Sequence, residues 1–102
     1  MIIVLATARI HPDDVAKVEA AGRAMVAASN AEEGCLGYSY AWDISEPHTL
    51  RVSEKWKDEA ALRFHFSTPH MAAFLAALGA VRQTAPIDVK MFDAANERPL
   101  RL

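Results

Sequence analysis

The chain has 102 residues, enough for one domain, with 52% apolar residues, 24% charged residues and a formal net charge of −2. Interspersed charge and a pI near 6.0 exclude the clustered basic footprint of a nucleic-acid binder. The single cysteine, Cys35, excludes an intramolecular disulfide and a cysteine zinc cluster, and no apolar run is long enough to span a membrane.

The first segment, Ile2 to Ile10, is short, apolar and rich in β-branched residues, which predicts a buried strand. It lacks the basic start of a secretion signal and meets Arg9 and Asp13 at once, so the expected setting is the cytoplasm. "HPDD" ends the strand. Pro12 suits a first helical position, and Asp13 and Asp14 suit the positive end of a helix dipole. Val15, Val18, Gly22, Met25, Val26 and Ser29 then fall on one face at helical spacing. Gly34 is placed to stop this helix or its following turn.

"CLGYSYAWD" alternates, with Leu36, Tyr38, Tyr40 and Trp42 on one side, and reads as a strand. After the loop "ISEPH", "TLRVSEKW" alternates again and puts Leu50, Val52, Glu54 and Trp56 together. Asp58 predicts a cap for a helix over Glu59 to Phe66. Thr68 predicts a second cap, with Pro69 at the first position and Gly79 at the end. Ile87, Val89 and Met91 alternate in a fourth strand, and the polar tail from Asn96 carries two leucines that could dock on a partner. The order β-α-β-β-α-β is the ferredoxin-like, split-βαβ arrangement of an α+β domain. We place it over residues 1–95, with 96–102 as a tail. Helices would cover one sheet face, and the apolar excess predicts a second copy over the other.

Several constellations bear on chemistry. His65 and His70 are separated by Phe66, Ser67, Thr68 and Pro69. On an unbroken helix they would stand ~140° apart, and no nearby cysteine or carboxylate offers a third ligand, so no metal site is expected. Each histidine also has a structural reading: His70 hydrogen-bonding locally in the first turn of its helix, His65 half-buried near the sheet. Glu54 shares a strand face with large apolar residues, where a carboxylate is costly unless partnered. Its partner could be His65 or a tyrosine, or it could line a wet cavity or lie solvated at a strand edge. Tyr38, Tyr40 and Trp42 form a stripe that fits a core or a slot for a flat ligand. No nucleophile motif surrounds Ser29, Cys35 or Ser67, and the dispersed glycines match no phosphate-cradling or dinucleotide loop.

"EEGCLGY" (Glu32 to Tyr38), "SEKWKDEAAL" (Ser53 to Leu62) and "HFSTPHM" (His65 to Met71), in that order, resemble the antibiotic biosynthesis monooxygenase family, and within it the quinol monooxygenases. The resemblance runs from the first strand to Gly79. It implies a homodimeric α/β barrel and a monooxygenase acting with dioxygen on a small aromatic quinol or phenol, without flavin, haem or metal cofactor. On these positions it implies His65 as base or proton relay and Glu54 as the group orienting it or the substrate. Trp56, Tyr38 and Tyr40 would wall the pocket, with His70 at its margin. Haem-degrading relatives use an axial histidine on the second helical region, and "MAAFLAAL" after His70 has none. A relative that isomerises a phosphorylated signal has a segment close to "FHFSTPH" but needs polar groups where this first helix carries Met25 and Val26. An isomerase or other proton-transfer enzyme on a small carbonyl compound, and a non-catalytic stress-response binding dimer, stand as the alternatives.

Overall fold

The computed structural model describes all 102 residues. Its elements are β1 (Ile2–Arg9), a single 3-10 turn (Pro12–Asp14), α1 (Val15–Asn30), β2 (Cys35–Trp42), β3 (Thr49–Trp56), α2 (Glu59–Phe66), α3 (Pro69–Gly79) and β4 (Asp88–Asp93). The sheet order is β2-β3-β1-β4 with every pair antiparallel, which is the ferredoxin-like α+β topology.

Local chemistry sets most boundaries. The Asp14 carboxylate receives the backbone N–H and the guanidinium of Arg82, tying the start of α1 to the segment before β4. Along α1 the buried residues are Val18, Gly22, Met25 and Ser29, one stripe against the sheet. Gly22 is there for space: a Cβ would stand 3.0 Å from the Tyr40 ring. Met25, Tyr38, Trp56, Leu62 and Phe74 meet Ile2 and Val4 in the larger core cluster.

Three expectations need correction. Leu36 does not share the face of Tyr38. A bulge between Cys35 and Gly37 makes Leu36 the extra residue, so it turns to solvent while Cys35 packs on the core. Gly34 does end the turn after α1, but not through the left-handed backbone that usually favours glycine at such a stop, since no glycine has positive φ. Its missing side chain lets the turn after α1 lie on α2, where a Cβ would overlap the methyl group of Ala61. The fourth strand begins at Asp88, not Ile87. It is exposed throughout because no helix covers that edge of the sheet.

The sheet face away from the helices carries Ile3, Leu5 and Phe92 among Thr7, Ser53, Lys55 and Lys90. Leu5 and Phe92 are each 46% exposed there.

Candidate functional site

The break in the second helical region brings the two histidines together. Asp58 opens α2 by accepting from the Ala61 N–H at 2.8 Å. The Thr68 hydroxyl donates to the His65 carbonyl at 2.7 Å and accepts from the Met71 N–H at 3.3 Å. One side chain therefore closes α2 and opens α3. The chain turns at this point, and the two imidazole centroids lie 5.7 Å apart.

Between them sits Glu32, in the turn between α1 and β2. Its Oε2 accepts from His65 Nδ1 at 2.6 Å and from His70 Nε2 at 2.7 Å. The side chains of His65 and Glu32 are 1% and 6% exposed, and that of His70 is 21% exposed. An ionised carboxylate has no proton to give, so each imidazole presents N–H to it. The neutral His65 tautomer that fits this contact carries its proton on Nδ1 and leaves Nε2 as an acceptor. The other Glu32 oxygen, Oε1, is buried without a partner.

Sequence reasoning missed this carboxylate as a partner. Both grounds against a metal, the ~140° separation of the histidines on an unbroken helix and the missing third ligand, fall: Glu32, His65 and His70 are three groups able to ligate together. The only signal in the sequence was the position of Glu32 at the head of "EEGCLGY".

A cavity of about 400 Å³ lies between the sheet and helices α2 and α3. Pairing register builds its floor in rows. Tyr38, Glu54, Val4 and Met91 lie side by side across the four strands, and Tyr40, Val52, Ala6 and Val89 form the next row. Phe74 and Leu78 of α3, with Leu62 and His65 of α2, make the roof. The size is within the ~300–1,000 Å³ range of small-molecule sites, and the lining is mostly apolar with a few converging polar groups.

Those groups are His65, Glu54 and the two tyrosines, with Glu59 and Arg63 of α2 also on the lining. Glu54 does not hydrogen-bond His65; its Oε1 accepts from the Trp56 indole N–H at 2.9 Å. Burial pushes the Glu54 carboxyl up, with the Trp56 N–H and His65 opposing that shift and Glu32 adding to it. The Tyr38 and Tyr40 hydroxyls are 2.9 Å apart. Burial raises both, Tyr40 to about 12, so both stay protonated at neutral pH. His65 lines the cavity and Glu32 does not, so the contact of Nδ1 with Glu32 lies behind the cavity wall.

Trp56, expected in the pocket wall, and His70, expected at its margin, lie elsewhere. Trp56 is fully buried behind the wall, with its ring centroid 4.6 Å from that of His65. His70 borders a separate surface hollow with Glu32, Glu33, Lys57 and Thr68.

The family model described as "Antibiotic biosynthesis monooxygenase" matches residues 1–77. The Bacillus subtilis protein named "Putative monooxygenase YcnE" is 36% identical over 89 residues, covering 87% of this chain and 93% of its own. The structure of Rv0793 from Mycobacterium tuberculosis superposes with a TM-score of 0.86 at 26% identity, over 96% of this chain and 98% of that one. A structure from Deinococcus radiodurans reaches a TM-score of 0.91 at 22% identity, with 99% of each chain covered, a likeness of fold.

Proposed function

Because this chain belongs to the antibiotic biosynthesis monooxygenase family, we propose that it oxidises a small aromatic quinol or phenol with dioxygen, the substrate itself serving as reductant. The observation that carries the reading is the meeting of His65 and Glu54 on one apolar cavity, with His65 braced from behind by Glu32.

In this reading a substrate hydroxyl donates to the bare Nε2 of His65, which takes its proton. Glu32 then faces the resulting imidazolium across the 2.6 Å contact and offsets its charge. Exclusion of water leaves the phenolate electron-rich and poorly solvated, able to pass electrons to dioxygen. Glu54, whose carboxyl burial pushes up, faces the same cavity and is placed to orient a second substrate oxygen. The overall step balances without an outside reductant: quinol plus O2 gives hydroxyquinone plus water, one oxygen atom entering the ring and the other leaving as water. The same reading has the chain working as a homodimer, with Ile3, Leu5 and Phe92 of the open sheet face covered by a second copy.

The test is oxygen uptake with a quinol panel, run under air and under argon. His65→Ala is expected to lose at least ~100-fold in turnover, the usual worth of a positioned base. Full turnover by that variant, or product formation under argon, overturns the reading. The argon result would instead favour a proton-transfer isomerase built on the same His65 and Glu54.

A further inference from the structure

We propose that Glu32, His65 and His70 form a site for one divalent transition-metal ion of the zinc class. Their donor atoms lie within 4.8 Å of one another. Two imidazole nitrogens and one carboxylate oxygen make a borderline donor set. Such a set takes Zn2+, Co2+ or Ni2+ in preference to the all-oxygen shells of Mg2+ and Ca2+.

Two further observations point to a ligand. The Glu32 side chain is only 6% exposed, yet its Oε1 has no partner. A buried carboxylate oxygen left unsatisfied is costly, and a cation bound by both oxygens would remove that cost. The site also has a wet side, because His70 borders the surface hollow that Glu33, Lys57 and Thr68 line. An ion could enter there, and a water could complete its shell.

The geometry needs a small adjustment. Zinc holds nitrogen and oxygen ligands at ~2.0–2.2 Å, which sets tetrahedral neighbours ~3.4 Å apart. The present separations are 2.6 and 2.7 Å, so Glu32 must withdraw from both rings. It stands in a turn outside any helix or strand, so no backbone ladder hydrogen bond fixes its position.

Filling the site has a consequence inside the cavity. A metal on Nδ1 replaces the proton there, so the ring proton of His65 moves to Nε2. The face toward the cavity changes from acceptor to donor, and this one consequence rests on His65 being the base proposed above. Binding itself does not depend on that role.

The experiment uses full-length, tag-free protein stripped with a chelator and titrated with Co2+ and with Zn2+. Binding is followed by the visible absorption of cobalt and by 15N spectra of the imidazoles. We expect saturation at one equivalent, with shifts at His65 Nδ1 and His70 Nε2 and none at His11 or His48. Glu32→Gln and His70→Ala are each expected to weaken Zn2+ binding at least ~100-fold, above the 10–100-fold typical of losing an outer-shell partner. Absence of one-equivalent saturation, shifts at His11 or His48 instead, or wild-type affinity in either variant overturns the proposal. If a variant does not fold, the wild-type imidazole spectra decide alone. No turnover is read, so failure here leaves the oxygenase reading standing, and failure of that reading leaves the metal site standing.

Discussion

Replacing Glu32 with alanine isolates what the buried carboxylate contributes. Two hydrogen bonds end on its Oε2, but they do not count equally. The His70 side chain is 21% exposed and regains water, so losing its bond costs little. The His65 side chain is 1% exposed, so its Nδ1–H would be left without a partner in a buried setting. A hydrogen bond to a charged group is worth ~1.5–3 kcal/mol, and a stranded buried donor costs ~1–3 kcal/mol. Deleting the carboxylate also removes its own desolvation penalty, which offsets part of the loss. The net expectation is ~2–3 kcal/mol. At ~4–8 °C per kcal/mol for a domain of this size, Tm should fall by ~10–20 °C. Glu32→Gln keeps the shape and one acceptor oxygen and should lose about half as much. Urea denaturation gives the free energies, and the 15N spectrum of His65 reports its tautomer. A Glu32→Ala protein within ~0.5 kcal/mol of wild type would refute the reasoning, because surface substitutions free of special contacts have effects of that size. So would a wild-type His65 with its proton on Nε2.

Gly34→Ala should destabilise by ~1–3 kcal/mol, because its new methyl group overlaps that of Ala61 and pushes the Glu32 turn off α2; an unchanged Tm would show that the turn has room to spare. Glu54 has a raised carboxyl, so the folded state holds its proton more tightly than the unfolded chain. That stability is present below the unfolded pKa, from 4.5 downward, and is lost as pH rises through the folded value. Glu54→Gln should therefore gain on wild type as pH climbs from 4 toward neutrality, and a pH-independent difference between their urea midpoints would contradict this. Asp14 has the opposite sign. The Arg82 guanidinium holds its carboxyl down to about 2 from 3.8, so its stability is present above 3.8 and lost as pH falls toward 2. Asp14→Asn should be less stable than wild type at neutral pH and should flatten that acid-side loss, which circular dichroism across the interval can check.

The sequence by itself determined the elements and their order. Alternation marked the strands, and the cap residues Asp58 and Thr68 with Pro69 marked both helix starts, because such signals act between residues a few positions apart. Together with the "EEG…ExW…HxxTPH" order they pointed to the family. Only the tertiary structure decided the partners. Pro69 and the spacing of the histidines looked like an argument against any joint role, yet the helix break at Thr68 is what turns both rings onto one carboxylate. Glu32 lies in a turn with no periodicity to betray it, and it arrives because Gly34 can press against α2 and accept the Lys57 N–H at 3.0 Å. Glu54 was legible as a misfit on an apolar strand face, but its hydrogen bond goes to Trp56, two residues along the same strand. Contacts between distant segments depend on how helices and strands pack, and one bulge at Leu36 or one missing Cβ at Gly34 moves them by more than any local pattern records.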